Sequence, residues 1–418
     1  MLKNVSMSSE LQHAGRKFLL RVSDILFYRA CKMKEKLKQI ICEAIDSKKD
    51  ELNNISQEIW KNPELNFEEF KAHALLTSYL EKEGFEVAKS TPLETSFIAR
   101  YGKKEGIKVG VICEYDALPG VGHACGHNLI AEAGIGAALG LKAVIDSKPG
   151  CNFNLIVYGT PAEEGGGGKC LMIEKGVFNE VDICMMTHPS PYELPSPSSL
   201  GVAQYKIVFK GKTAHAAAAP WEGINALDAA VACYNNVSML RQQMKPTNRI
   251  HCTIVDGGER PNIITERAEL FYFVRAQTDK EVTGLVERLR ACAEGAAQAT
   301  GCTMAMKQSA PSWSAVNTNE VMIDLYIENA KSLGVSFEDD HAKETFQAAT
   351  DMGNVSVVKP SIHPYYKIQT EEINHNHGFT KASGSAESQL PTLNSAKSMA
   401  MTAIDIVCEE GLLEKVQK

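Results

Sequence analysis

Between Val109 and Leu139 the chain reads V-G-V-I-C-E-Y-D-A-L-P-G-V-G-H-A-C-G-H-N and then continues in small and apolar residues. An apolar β-run closes on an acid, a Pro/Gly loop follows, and the loop delivers Cys125 and His127 just before a helix begins near Asn128. The segment therefore demands a strand–loop–helix unit whose loop carries thiolate and imidazole at the carboxyl end of the strand. A Cys-x-His pair can bind one zinc-like ion or let the thiolate bridge two; a buried Cys beside a capping His is spelled the same way.

The pattern recurs. A strand at Asn152–Tyr158 runs into G-T-P-A-E-E-G-G-G-G, which carries Glu163 and Glu164, and a strand at Asp182–Met186 ends at Thr187-His188-Pro189. Adjacent carboxylates repel, and burial raises the pKa of at least one, so such a pair means solvent or a cation. Consecutive strand ends thus present Cys/His, Glu/Glu and His, at the place where open α/β sheets bind ligands.

Upstream, apolar residues recur at helical spacing over Met33–Trp60, stopping at Asn62-Pro63, and a second helix is expected over Phe67–Lys82. From Asn128 to Ile145 the small residues let a helix lie close to a sheet, and the βαβαβ order through His188 predicts a largely parallel sheet. A Pro/Ser-rich stretch, Pro189–Ser199, marks a change of pattern. Val202–Lys210 alternates as a strand, Ile224–Gln243 reads as helix, Ile250–Asp256 and Glu266–Ala276 as strands, Lys280–Ala299 as helix and Cys302–Lys307 as a closing strand. That β-α-β-β-α-β order is ferredoxin-like. Beyond Pro311 a helix (Glu320–Leu333), a loop (Gln347–Gly353), a strand (Val355–Val358) and a helix (Ala386–Cys408) are expected. The expectation is an α/β fold: a mainly parallel-sheet catalytic domain (33–199 and 312–418), an inserted ferredoxin-like α+β lid (200–311), and an N-terminal extension (1–32). An insertion joined at two linkers can open and close over a cleft.

Composition narrows the function. With 44% apolar and 23% charged residues the chain is that of a soluble globular protein, and a net charge of -7 argues against nucleic acid as partner. No apolar run reaches the roughly 20 residues that cross a bilayer, so no membrane partner is expected. Twelve cysteines are scattered rather than spaced as a disulfide framework, which suits a reducing compartment and places the chain in the cytoplasm. Lys3, Arg16, Lys17, Arg21, Arg29 and Lys32 in the first 32 residues are compatible with mitochondrial import, an extra helix or a disordered start.

D-A-L-P-G at Asp116–Gly120, G-H-A-C-G-H at Gly122–His127, G-T-P-A-E-E-G at Gly159–Gly165 and G-K-T-A-H at Gly211–His215 resemble the aminoacylase/carboxypeptidase-G2 superfamily of two-metal amidohydrolases, in its branch with a cysteine metal ligand. P-E-L at Pro63–Leu65, followed by Glu68 or Glu69, matches as well. Within the branch, P-W-E-G-I-N-A-L-D-A-A-V, R-Q-Q-M-K-P-T and D-M-G-N-V-S look most like the dipeptidases that act on β-alanyl-lysine-type substrates. The resemblance implies hydrolysis of dipeptides with a basic C-terminal residue in metabolite repair. An N-acyl amino acid or conjugate amidohydrolase, or a non-catalytic metal-binding relative, is the alternative.

By the same resemblance Cys125, His127, Glu164 and His188 are metal ligands, joined by His375 or its neighbour His377, with the spacing to Phe379 favouring His375. Two divalent ions are implied; zinc suits the mixed donors, and manganese or cobalt would fit them too. Glu163 is the general base, and Asp116 orients His127. His215 reaches a neighbouring subunit's site to stabilise the oxyanion, and Asn262 and Arg275 hold the substrate carboxylate. A homodimer through the lid is implied. Asn128 stands where many relatives have Asp, and Glu132, Asp351 and Glu372 are conceivable partners for a basic side chain.

Overall fold

The central β-run is an inner strand of a six-stranded sheet in the computed structural model, which describes residues 32–103, 105–147, 152–337 and 348–418. The expected N-terminal extension lies, but for its last residue, outside the described residues. Helix α1 (32–47) and α2 (Lys49–Lys61) bury Leu37, Ile41, Ile45, Leu52, Ile55 and Ile59 along one face, and the expected single helix is broken at Lys48. Helix α3 (Phe70–Lys82), β1 (Glu86–Lys89) and β2 (Phe97–Gly102) lead to β3 (Ile107–Glu114), α4 (His127–Ser147) and β4 (Phe153–Thr160). Then follow α5 (Gly168–Glu174), β5 (Ile183–Met185) and β6 (His188–Ser190).

The sheet order is β1-β2-β4-β3-β5 with a late strand at the far edge. β3 pairs in parallel with both β4 and β5, whereas β1–β2 and β2–β4 are antiparallel. The parallel centre brings the ends of β3, β4 and β5 to one rim, and the acid- and histidine-bearing loops start there.

Helix α4 explains its own composition. A Cβ on Gly134 would sit 2.5 Å from Cys113 Sγ, and one on Gly140 2.9 Å from Ile41 Cγ2, so the helix lies against β3 on one side and α1 on the other. Being covered all round, α4 is also the one described helix long and apolar enough to cross a bilayer, which corrects the expectation that no such run exists. Its apolar circumference is spent on the core, where 83% of the most apolar window is buried.

Next come β7 (Gly201–Lys210), α6 (Ala226–Met239), β8 (Arg249–Asp256), β9 (Arg267–Ala276), α7 (Asp279–Thr300) and β10 (Thr303–Gln308). They form an antiparallel sheet in the order β10-β7-β9-β8, the ferredoxin-like arrangement, with its own core of Ile207, Phe209, Cys233, Leu270, Val274 and Leu289. The strands entering and leaving this unit are bonded to each other: Val202 and Trp313 exchange both backbone hydrogen bonds (2.8 and 2.9 Å), and Leu200 N–H donates to the Ala348 carbonyl (2.9 Å).

The chain then returns through α8 (Glu320–Ser332), α9 (Met352–Val358), β11 (Ser361–Ile362), β12 (Tyr365–Lys367), α10 (His377–Ser383), α11 (Gln389–Cys408) and α12 (Leu412–Val416). β11 adds to β5 in parallel and completes the sheet. The strand expected at Val355–Val358 is the end of helix α9. Its β-branched run reads as extended, but Thr350 Oγ1 accepts from Met352 N–H (3.2 Å) at the helix start, and the buried Val355 packs in the apolar cluster with Met172 and Phe178, so tertiary contacts outweigh propensity. Gly353 is required there, because a Cβ would meet the Ser314 carbonyl at 1.8 Å.

Candidate active site

Cys125, His127, Glu163, Glu164, His188 and His375 converge at the rim formed by β3, β4 and β5. Cys125 Sγ is 3.4 Å from His188 Nε2. His127 Nε2 faces carboxylate oxygens of Glu163 and Glu164, each at 3.8 Å, and of Glu114 at 3.6 Å. His375 Nε2 is 3.4 Å from Glu164 Oε2. Three donor groups suited to a cation overlap here: Cys125/His127/His188, Cys125/Glu164/His375 and His127/Glu163/Glu164, with ligand atoms within 4.8 Å of one another in each.

The residues fit divalent cations by their unmet chemistry. His127 Nε2, Glu164 Oε1 and Glu114 Oε2 are buried without a hydrogen-bond partner, and both carboxylate oxygens face His127 Nε2. An unmet buried polar atom costs roughly 1–3 kcal/mol, and a group of mostly anionic ones calls for a positive charge between them. Burial, with the carboxylates of Glu114 and Glu164 beside it, pushes Glu163 well above the ordinary carboxylate range. Burial likewise raises Glu164 to about 7. A cation reverses both effects.

Local structure aims each donor. His127 Nδ1 lies 3.0 Å from Asp116 Oδ1, which turns Nε2 toward the acids, while Asp116 Oδ2 accepts the Glu164 backbone N–H at 2.9 Å. One carboxylate thereby ties the Cys/His loop to the acid loop. Ala162, just before the acid pair, has φ +57°, and its N–H donates to Glu69 Oε1 at 2.9 Å. Glu69 also accepts from Thr95 Oγ1 (2.6 Å), so of Glu68 and Glu69 it is the latter that props the loop. His375 sits at φ +75° with its N–H on the Ala124 carbonyl (2.8 Å), a left-handed position held by the surrounding structure. His377 instead opens α10 and joins none of the donor groups. Asn128 turns away from the ligands, its Nδ2 donating to Ser56 Oγ and the Ser383 carbonyl.

A cavity of about 790 Å³ opens from this cluster toward the ferredoxin-like unit. Cys125, Glu163, Glu164, His188 and His375 line it from the rim; Arg249, His251 and Arg275 line it from β8 and β9, and Val202, Phe273 and Trp313 are also in its wall. Arg275 Nε donates to His251 Nε2 (3.3 Å) and its guanidinium lies 5.5 Å from the Phe273 ring. His215 and Asn262 are not brought here. They stand together on an exposed corner of the unit, where Ala216 N–H donates to the Asn262 carbonyl at 3.1 Å. Glu132, Asp351 and Glu372 do not line the cavity: Asp351 is tied to Lys169, Glu132 is buried beside Gln389, and Glu372 accepts from Asn376.

Sequence reasoning gave no role to Glu114 or Lys169. Glu114 is legible in hindsight, standing two residues before Asp116 on the same strand end. Lys169 follows the four glycines directly, but nothing in its spelling distinguishes a buried ammonium from a solvated one.

A family profile described as "Peptidase dimerisation domain" matches residues 198–300. The chain is 44% identical over 396 residues to the Xaa-Arg dipeptidase of Mus musculus and 42% identical over 400 residues to that of Homo sapiens, covering 92% of each chain in both pairs. In fold it resembles a crystal structure of a dinuclear metal-binding M20-family peptidase of Bacillus subtilis, with a TM-score of 0.66 and 23% identity over 86% of this chain and 99% of that one.

Proposed function

Because the chain belongs to the M20 peptidase family, we propose that it is a metal-dependent dipeptidase that cleaves the amide bond before a basic C-terminal residue, with β-alanyl-lysine as the type substrate and metabolite repair as its role. The observation that carries the reading is the shared cavity: buried acids and metal-type donors of the rim and Arg275 of the ferredoxin-like unit line one space, in a chain 42–44% identical to Xaa-Arg dipeptidases.

Two divalent cations suit the overlapping donor groups, held by Cys125, His127, Glu164, His188 and His375, and a thiolate among the ligands favours zinc over manganese or cobalt. When bound, such a pair supplies a water of lowered pKa and polarises the scissile carbonyl. Glu163 takes the proton from the attacking water and delivers it to the leaving amine nitrogen. Asp116 keeps His127 in the tautomer that leaves Nε2 free. Arg275, on the cavity wall, holds the substrate carboxylate.

A panel tests the substrate reading. β-Alanyl-lysine and β-alanyl-arginine should be cleaved at least about 10-fold faster, in kcat/KM, than β-alanyl-alanine or N-acetyl amino acids, since removing a recognised charged tail costs 1.4 kcal/mol or more. Equal rates on the neutral compounds would transfer the chain to the N-acyl amidohydrolases, whose acyl tails the Val202/Phe273/Trp313 wall would also accept.

We read residues 200–311 as the lid and as the surface of a homodimer. β8 is an edge strand whose Ile254 and Val255 are 44% and 57% exposed, and the chain matches a dimerisation profile there. In that dimer His215 and Asn262, remote from their own cavity, complete the partner's. Mixing equal amounts of Glu163→Ala and His215→Ala chains should then restore activity to about a quarter of wild type after subunit exchange, because half the dimers are mixed and each has one intact site. Activity no higher than the sum of the two variants would refute shared sites. The described cysteines are all free thiols, which suits a cytoplasmic location.

A further inference from the structure

Glu163 also belongs to a second carboxylate cluster, whose other members, Glu114 and Asp351, are not in the cavity lining and have no part in this mechanism. Glu114, Glu163 and Asp351 each place one oxygen within 4.8 Å of the others, and all are buried. Such a triad of hard oxygen donors would by itself suit a metal ion. An ammonium is there already. Lys169, fully buried, donates from Nζ to Glu114 Oε1 and to Asp351 Oδ1 (2.7 Å), and its backbone N–H donates to Asp351 Oδ2 (2.9 Å). Glu114 keeps its second oxygen unpartnered and 3.6 Å from His127 Nε2.

The three acids come from separate parts of the chain: the end of β3, the loop after β4, and the residue that opens α9 after the chain has returned from the lid. Lys169 enters from the first turn of α5, directly behind the glycine loop, and spans two of them. A side chain cannot drift away as a dissolved ion can, so the charge is permanent and its position set by the fold.

We propose that Lys169 is a tethered cation filling a third metal-type position, so that no divalent ion is drawn in beside Glu163 and that carboxylate stays unligated. The inference rests on the reading of Glu163 as the base. Lys169 touches no substrate; it is a positioning residue acting through Glu114 and Asp351. An ion in its place would coordinate Glu163, and a coordinated carboxylate is a poor proton acceptor.

The test is ion counting on the full-length metal-loaded protein, with Mn²⁺ supplied in excess and then removed by gel filtration. Lys169→Ala should hold one ion per chain more than wild type, and its kcat should fall by about 10²-fold or more, as for loss of a general base. Adding Asp351→Asn to Lys169→Ala should return the count to the wild-type value. An unchanged count in Lys169→Ala, or an extra ion with unimpaired turnover, overturns the proposal. If Lys169→Ala does not fold, Lys169→Met with Glu114→Gln removes the ammonium and one carboxylate together. The wild-type ion count with measurable turnover is expected from that pair, and an extra ion or turnover no better than metal-stripped protein overturns the proposal. If wild type binds its metals but spares β-alanyl-lysine, the substrate reading fails while the ion count still decides the role of Lys169.

Discussion

Glu163→Gln will lower kcat by about 10²–10⁴-fold with little change in KM and with the full complement of metal retained. The side chain keeps its shape, so Asp116, His127 and Glu164 stay where they are. The amide, however, cannot accept a proton from water or hand one to the leaving amine. Glu163 is the member of the acid pair without contact to His375, whereas Glu164 lies 3.4 Å from His375 Nε2 and shares a donor group with Cys125. Steady-state kinetics and metal analysis on the same preparation check this division of labour. Loss of metal from Glu163→Gln, with turnover surviving in Glu164→Gln, would exchange the two roles.

Stripping the metals will abolish hydrolysis and will also make stability depend on pH in a direction that identifies the cause. In the metal-free site burial raises Glu164 to about 7, against 4.5 for the group in solvent. The folded state then holds its proton more tightly than the unfolded chain does, so the cost of ionising it is absent below pH 4.5, grows as pH rises, and is complete above pH 7. At 1.36 kcal/mol per unit this is about 3 kcal/mol, taken as an order of magnitude. Bound cations offset that cost, so the Tm gap between loaded and stripped protein should widen from pH 5 to pH 7.5, and re-addition of Zn²⁺ should close it with recovery of turnover. A gap that is constant across that range would show that Glu164 does not face the ions.

The central unit was legible because its logic is local: an apolar run, a Pro/Gly break and donors placed where a strand must end. The ferredoxin-like unit was legible because its amphipathic periods alternate cleanly. Val355–Val358 misled because its three β-branched valines carry no record of the cluster around Met172 and Phe178 into which Val355 folds. Helix α4 was legible from its small residues, of which Gly134 and Gly140 let it lie close to β3 and α1, although an internal helix and a membrane helix share a composition. His375 was preferred to His377 by the spacing that the family resemblance supplies, and the backbone accommodates it through a left-handed turn and a bond to the Ala124 carbonyl. Lys169 stayed hidden because its pairing with Glu114 joins positions 55 residues apart, and no local pattern encodes that distance.

The paired segments at Val202/Trp313 and Leu200/Ala348 also limit how the cleft can work. Separate tethers would give the inserted unit two independent swivels, but strands laced by backbone hydrogen bonds twist as a single torsion bar. Leu200, Val202, Trp313 and Ala348 are at the same time part of the cavity wall. Any turning of the unit would therefore reshape the cavity wall as well, so that access and fit would be governed by one degree of freedom.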